Sequence, residues 1–176
     1  MTERMISTNG IDMHIHEAGP AGAPLVVLCH GFPELGYSWR HQLPVLAEAG
    51  YHAVAPDQRG YGGTSRPPAI EDYDIVHLTD DLLGLLDALG ESQAVFVGHD
   101  WGSPVVSQLV VRAPERVRGA VWTSSTSSSV SMVVGWIVQR PARCRRCGRV
   151  RRESPPRPRL WPPPPRWPRQ SVLVGS

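Results

Sequence analysis

The sequence predicts an α/β protein with a doubly wound, mostly parallel sheet. Before about residue 125, short apolar runs alternate with amphipathic stretches. Such strand–helix alternation is typical of parallel strands whose connecting helices cover both faces of a sheet. The run PLVVLCHG is continuously apolar and ends in glycine, which is the pattern of a strand buried on both faces.

The predicted elements follow one another closely along the chain. Strands are predicted at MHIHEAG, PLVVLCHG, YHAVAPDQRG, QAVFVGHD and VRGAVWTSS. Helices are predicted at YSWRHQLPVLAEAG, which Gly50 should end, at DIVHLTDDLLGLLDALG, whose leucines recur at helical spacing, and at SPVVSQLVVRAP. Cys29 lies inside the second strand, and we expect it to be a buried thiol.

The composition changes sharply after residue 138. Residues 1–138 carry 7 Arg and 15 acidic residues, whereas residues 139–176 carry 11 Arg, 9 Pro and a single acid. Proline at this density leaves neither helix nor strand periodicity. We therefore expect one incomplete domain over 1–125, a short junction over 126–138, and a disordered low-complexity tail over 139–176.

Two interpretations of the Arg/Pro-rich tail stay open. The chain has no lysine, which fits a GC-rich gene, and a shifted reading frame in such a gene would encode Arg and Pro. Alternatively, the tail is an interaction segment that binds phosphates or an aromatic groove. We favour the first and expect no nucleic-acid partner. Cys144 and Cys147 form a CRRC pair without a second pair or a following histidine, so we expect no metal and no cofactor.

The sequence also bears on location. No apolar run approaches the roughly 18 residues of a membrane helix, and the polar N-terminal stretch lacks the apolar region of a signal peptide. We expect a cytoplasmic protein with no membrane contact. The sequence leaves the oligomeric state open.

The stretch FVGHDWGSPV has the layout of a nucleophile elbow. Gly98 and Gly102 flank a central Asp100, between a predicted strand and a predicted helix. Small residues at these positions let the chain turn sharply and lift the central side chain above the sheet. The start of the following helix favours a negative charge at Asp100. Taken alone, the motif also fits an ordinary strand–helix turn with an acidic cap.

Two further motifs accompany the elbow. His30-Gly31-Phe32-Pro33 and Asp57-Gln58-Arg59-Gly60-Tyr61-Gly62 each follow a predicted strand. All three motifs therefore fall at the C-terminal ends of parallel strands, where α/β sheets place their sites. With these motifs in this order, about residues 10–124 resemble the N-terminal half of α/β-hydrolase-fold enzymes of the epoxide hydrolase branch.

The resemblance implies a catalytic role for three residues. Asp100 would attack a small-molecule epoxide to form a covalent ester, which water later cleaves to a diol. The backbone amides of Phe32 and Trp101 would form the oxyanion hole, and the Trp101 side chain would line the pocket. His30 would hold the oxyanion loop by hydrogen bonding rather than act as a base. The supporting residues would be His30, Gly31, Pro33, Gly98, His99 and Gly102.

Related dehalogenases remain alternatives. Haloalkane dehalogenases form the same aspartyl ester but need a halide clamp, typically an Asn or a second Trp, where this chain has Phe32. Fluoroacetate-type dehalogenases usually carry Arg at the position of Trp101. Both differences favour an epoxide over a halide substrate.

The resemblance also implies residues that this sequence does not hold. The family orders its triad as nucleophile, acid and histidine, yet no histidine and no aspartate follows Asp100, and Glu115 and Glu153 are the remaining acids. Glu115 is expected on the surface. All four tyrosines precede the position of the family's lid. We therefore expect a truncated hydrolase domain with an exposed sheet edge. We also expect an epoxide to alkylate Asp100 slowly and at most once, without catalytic turnover.

Overall fold

A computed structural model describes residues 1–123. The strands are β1 (Thr2–Thr8), β2 (Ile11–Ala18), β3 (Leu25–Cys29), β4 (His52–Pro56), β5 (Ala94–His99) and β6 (Val117–Thr123). The helices are α1 (Gln42–Glu48), α2 (Ile75–Leu89) and α3 (Gly102–Arg112), with 3-10 turns at Gly36–Trp39, Ile70–Tyr73 and Pro114–Arg116. The predicted junction and Arg/Pro-rich tail lie outside the described residues.

The six strands form one sheet in the order β1-β2-β4-β3-β5-β6. β3 pairs in parallel with β4 on one side and with β5 on the other, and β5 pairs in parallel with β6. Every residue of β3 and β4 is buried, because both faces of these central strands are covered. The order of the strands therefore reverses at β3, since β4 lies on one side of it and β5 on the other. Sheets of this kind bind ligands in a crevice at such a reversal, which here lies between the C-terminal ends of β3 and β5.

The antiparallel part of the sheet comes from an N-terminal hairpin. β1 pairs with β2, and β2 pairs with β4, both antiparallel. A two-residue turn joins β1 to β2, in which Asn9 and Gly10 have φ of 44° and 75°. Positive φ at both positions is what a type I′ hairpin turn requires. β1 is not among the predicted strands.

Helices cover both faces of the sheet, as the doubly wound prediction requires. On one face α2 and α3 pack their apolar side chains against β2–β6, and that core includes Leu82, Leu85, Leu86, Val105, Val106, Leu109, Val27, Cys29, Val54 and Phe96. On the other face α1 inserts Leu43 against Ala18, Val26, Leu28, Ala53 and Ala55. Cys29 is buried as predicted, and its burial raises the pKa of the thiol to about 12.

The helix boundaries follow local chemistry. The Asp74 side chain accepts the His77 N–H at the start of α2, and Gly90 ends α2 in a left-handed conformation. The prediction of one helix over 37–50 is wrong at its start, because a separate 3-10 turn precedes a shorter α1. Pro44 explains the late start, since a proline without an N–H is tolerated only in the first turn of a helix.

No helix within residues 1–123 combines the length and the apolarity needed to cross a bilayer.

Candidate active site

Asp100 occupies a tight turn between β5 and α3. Its φ of 48° lies in the left-handed region, which costs a non-glycine residue on the order of 1–3 kcal/mol and is common at functional sites. The backbone holds the turn from two directions. Asp100 N–H donates to the Thr123 carbonyl at 3.1 Å, and Ser103 N–H donates to the Asp100 carbonyl at 2.9 Å. β6 therefore helps to fix the elbow.

The glycines around the turn are required by close approach. A Cβ on Gly98 would lie 2.6 Å from the Gly102 carbonyl oxygen, and one on Gly31 would lie 2.6 Å from the Asp100 Cβ. A Cβ on Gly102 would lie closer still to the Cys29 carbonyl oxygen. Side chains at these positions would push β3, the elbow and α3 apart. Glycine at all three positions therefore allows the His30–Pro33 motif to lie directly against the elbow.

Two backbone donors from different parts of the chain meet at one oxygen of Asp100. Its Oδ2 accepts the Trp101 N–H at 2.7 Å and the Phe32 N–H at 3.2 Å. These hydrogen bonds, first from Phe32 and then from Trp101, hold the pKa of Asp100 below its ordinary value. The carboxylate is thus ionised at neutral pH. The second oxygen, Oδ1, accepts no hydrogen bond from residues 1–123.

His30 is buried beneath the loop that carries Phe32. Its Nε2 accepts the backbone N–H of Gln58 at 3.0 Å, so Nδ1 carries the proton and donates it to the Gly31 carbonyl at 2.8 Å. Gln58 Nε2 also donates to the His30 carbonyl at 2.7 Å. Burial lowers the pKa of His30. Both ring nitrogens of a neutral imidazole are therefore occupied in holding the backbone that leads to Phe32.

Gln58 is a site residue that the sequence did not single out. It belongs to the motif that begins at Asp57, after β4. Its two hydrogen bonds reach His30, in the motif that follows β3. Two other members of the motif after β4, Asp57 and Arg59, hold the fold. Asp57 is buried and accepts the Gly36 N–H at 2.8 Å, and Arg59 forms a buried ion pair with Asp81 at 2.6 Å.

His99 points its Nδ1 toward a second carboxylate. Nδ1 lies 3.2 Å from Oε2 of Glu34, and the Trp39 ring packs edge-on with centroids 6.4 Å apart. Glu34 N–H in turn donates to the Gly31 carbonyl at 3.0 Å, and the Phe32-Pro33 peptide bond between them is cis. The His99–Glu34 contact thus connects the elbow to the loop after β3. Glu34 also lay outside the predicted site.

An apolar cavity of about 190 Å³ opens beside the elbow. It is lined by Gly31, Gln58, Tyr61, Tyr73, Ile75, Leu78, Trp101 and Val105. A wider one of about 480 Å³ shares four of these residues and adds Phe32 and Arg59. The Phe32 and Trp101 side chains are 62% and 65% exposed, so they form an open aromatic rim rather than a closed wall.

The chain is similar to known hydrolases over these same elements. Residues 24–146 match the family described as alpha/beta hydrolase fold. Epoxide hydrolase A of Mycobacterium tuberculosis is 62% identical over 116 residues, which are 66% of this chain and 36% of that protein. Epoxide hydrolase 2 of Siraitia grosvenorii is 50% identical over 116 residues, again 66% and 36%.

A solved structure agrees with the sequence relatives. The crystal structure of Epoxide Hydrolase A from Mycobacterium thermoresistibile superposes with a TM-score of 0.68 at 58% identity, covering 69% of this chain and 38% of that one. The chain therefore spans little more than a third of the length of each of these three relatives.

Proposed function

Since this chain belongs to the α/β-hydrolase fold family and resembles its epoxide hydrolase branch, we propose that Asp100 opens small-molecule epoxides by direct attack. One observation carries this proposal. Oδ2 of Asp100 is held by the N–H groups of Phe32 and Trp101, while Oδ1 is left without a hydrogen bond from the described residues. The carboxylate is thus held in one orientation with one reactive oxygen.

In the first step, Oδ1 attacks a ring carbon of the epoxide. The carbon–oxygen bond of the ring breaks, and its electron pair stays on the former ring oxygen, which takes a proton from water. The product is an ester between Asp100 and a hydroxyalkyl group. A carboxylate needs no base for this step because it is already ionised, and the lowered pKa of Asp100 is consistent with that role.

In the second step, water attacks the carbonyl carbon of the ester. Negative charge then develops on Oδ2, which lies between the Phe32 and Trp101 N–H groups. Loss of one such donor typically costs about 10²–10³-fold in rate. The diol departs, and the Asp100 carboxylate is restored. This step needs a base to take a proton from the water.

We propose that this 176-residue chain does not supply that base. All its histidines lie at or before position 99. Both nitrogens of the buried His30 are engaged, and His99 faces Glu34. The ester should therefore accumulate, and the chain should be modified once rather than turn over.

The cavity supports a compact, apolar substituent on the epoxide. Its lining is mostly aromatic and aliphatic, with Tyr61, Tyr73 and Trp101 beside the elbow. Aromatic walls favour an aryl or short alkyl group through area burial and ring contacts. A haloalkane is a weaker candidate, because neither an asparagine nor a second tryptophan lines the cavity within residues 1–123. The alternative of an interaction tail concerns residues outside the described part and stays a prediction.

The test is to incubate the full chain with a small aryl epoxide and to follow intact mass and diol together. We expect one adduct per chain, located at Asp100 by peptide mapping, and diol not exceeding one equivalent. Asp100→Asn should form no adduct, whereas the matched variant Glu115→Gln, at an exposed acid, should react like the parent. Equal labelling of Asp100→Asn would refute the nucleophile. Diol rising through many equivalents would refute the absence of a base.

A further inference from the structure

Four ionisable side chains meet on one face of the N-terminal hairpin, away from the elbow. Alternation along β2 turns Met13 and Ile15 into the core and leaves His14 and His16 together on the opposite face. The register of β1 places Glu3 directly across from His16. The end of β4 adds Asp57, whose N–H donates to the His14 carbonyl at 2.9 Å. Three adjacent strands thus bring these groups together.

Glu3 lies at metal-ligand separation from both imidazoles. Its Oε1 is 3.2 Å from His16 Nδ1, and its Oε2 is 3.6 Å from His14 Nε2. Two ligands of one tetrahedral zinc, each bonded at 2.0–2.2 Å, lie roughly 3.3–3.6 Å apart. The Glu3 carboxylate is therefore near enough to each imidazole to share an ion with it.

The Nδ1 of His16 is an unsatisfied buried atom. His16 is 4% exposed, and its Nδ1 has no hydrogen-bond partner among residues 1–123. The nearby Glu3 oxygen is close enough but is not aligned for a hydrogen bond. A buried polar group in this state typically costs about 1–3 kcal/mol. A cation bound to that nitrogen would satisfy it, so this atom is the independent sign of a ligand.

Asp57 orients the second histidine. Its Oδ2 lies 2.9 Å from His14 Nδ1. Because a carboxylate accepts hydrogen bonds, this contact places the proton of His14 on Nδ1 and leaves the Nε2 lone pair facing Glu3. A carboxylate behind a ligating histidine is the usual outer partner of a metal site.

We propose that Glu3, His14 and His16 bind a divalent cation of the zinc class, with Asp57 as the outer partner of His14 and water in the fourth position. One nitrogen from each histidine and an Asp57 oxygen lie within 4.8 Å of one another, so the two histidines and the outer partner are already close together. The Glu3 and His14 side chains are 51% and 20% exposed, which gives the ion a path from solvent. Bound metal would fasten β1 to β2 and to the loop after β4.

The test uses the full chain with Cys144→Ser and Cys147→Ser, so that the CRRC pair cannot bind the metal. Zn²⁺ affinity is measured by competition with a chromophoric chelator, and Co²⁺ is used to record the visible absorption of a tetrahedral site. We expect one ion per chain. Glu3→Gln and His16→Asn should each weaken binding by more than the roughly 10–100-fold that loss of an outer partner costs. His41→Gln, at an exposed histidine outside the cluster, should bind like the parent.

Thermal unfolding provides a second readout. Zn²⁺ should raise the Tm of the parent, because an ion that binds only the folded state stabilises it by mass action, and it should leave the Tm of Glu3→Gln unchanged. Glu3 is half exposed, so this variant should fold even if His16→Asn does not. Equal Zn²⁺ affinity in the parent and Glu3→Gln, or no Zn²⁺ binding once the two cysteines are replaced, would overturn the proposal.

Discussion

The backbone N–H of Phe32 lies 3.2 Å from Oδ2 of Asp100, although 68 positions separate the two residues. The donor comes from the loop after β3, and the acceptor comes from the turn after β5. Parallel pairing of these neighbouring strands brings their ends together. The contact therefore links the charge of Asp100 to the position of the loop after β3, and it leads to the first prediction.

The reactivity of Asp100 should be insensitive to pH across the neutral range. Hydrogen bonds from Phe32 and then Trp101 lower the pKa of Asp100, so the carboxylate remains ionised as pH falls and becomes protonated only below its ordinary range. The rate of epoxide adduct formation should stay flat from about pH 8 to about pH 5 and decline only below about pH 4. Mass spectrometry at fixed times across that range measures it. A midpoint near 6.5 would instead assign the rate to a histidine.

Gly102→Ala should damage the elbow through overpacking. The new Cβ would meet the Cys29 carbonyl, which belongs to rigid β3 backbone. We expect a loss of about 1–3 kcal/mol in the free energy of unfolding, together with slower adduct formation at Asp100. Chemical denaturation measures the first effect. Val111→Ala, at a 76% exposed position of the same helix, is the matched control and should change stability by less than about 0.5 kcal/mol.

Arg59→Met should be among the more damaging single changes at the end of β4. The guanidinium donates to both oxygens of Asp81, at 2.8 and 2.6 Å, and both side chains are almost fully buried. Removing one partner leaves an uncompensated buried charge, at a cost of about 3–5 kcal/mol. Replacing both, in Arg59→Met with Asp81→Leu, should recover most of that loss. A double-mutant cycle of unfolding free energies measures the coupling, and additive losses would contradict it.

Asp57 should contribute stability that disappears in acid. Its pKa is lower in the folded chain than its ordinary value, so its contribution is complete above the unfolded pKa and is lost as pH falls through the folded one. The stability difference between the parent and Asp57→Asn should therefore be constant near neutrality and shrink below about pH 4. Chemical denaturation of both proteins at each pH, with a chelator present, measures this difference in unfolding free energy. A difference that grows as the pH falls would contradict the prediction.

Much of the fold could be predicted from the sequence, because its signals are local. The runs around β3 and β5 are apolar since both strands are buried, and the leucines of α2 repeat because one side of that helix faces the sheet. β1 was missed because most of its residues are exposed, so no apolar pattern marks it. The Asn9-Gly10 pair was the available signal, since this dipeptide is typical of a two-residue hairpin turn.

The candidate site could likewise be predicted only where its residues are neighbours in the sequence. Gly98, Asp100 and Gly102 form one local turn, so their pattern can be read directly. Gln58 and Glu34 act on residues in other segments, and no spacing along the chain reveals which carbonyl or imidazole they reach. The Glu3, His14, His16 and Asp57 cluster needs the register of three strands before its members become neighbours.

The strand order also fixes when the Phe32 N–H can reach Asp100. During synthesis Phe32 leaves the ribosome long before Asp100, and the two can meet only after β5 has crossed to the far side of β3. Closing so long a loop is slow compared with forming local contacts. Partly folded or nascent chains therefore present Asp100 without the Phe32 donor, and the carboxylate should react as an ordinary solvent-exposed one. The rate of adduct formation at Asp100 should therefore distinguish chains in which β5 has paired with β3 from chains in which it has not.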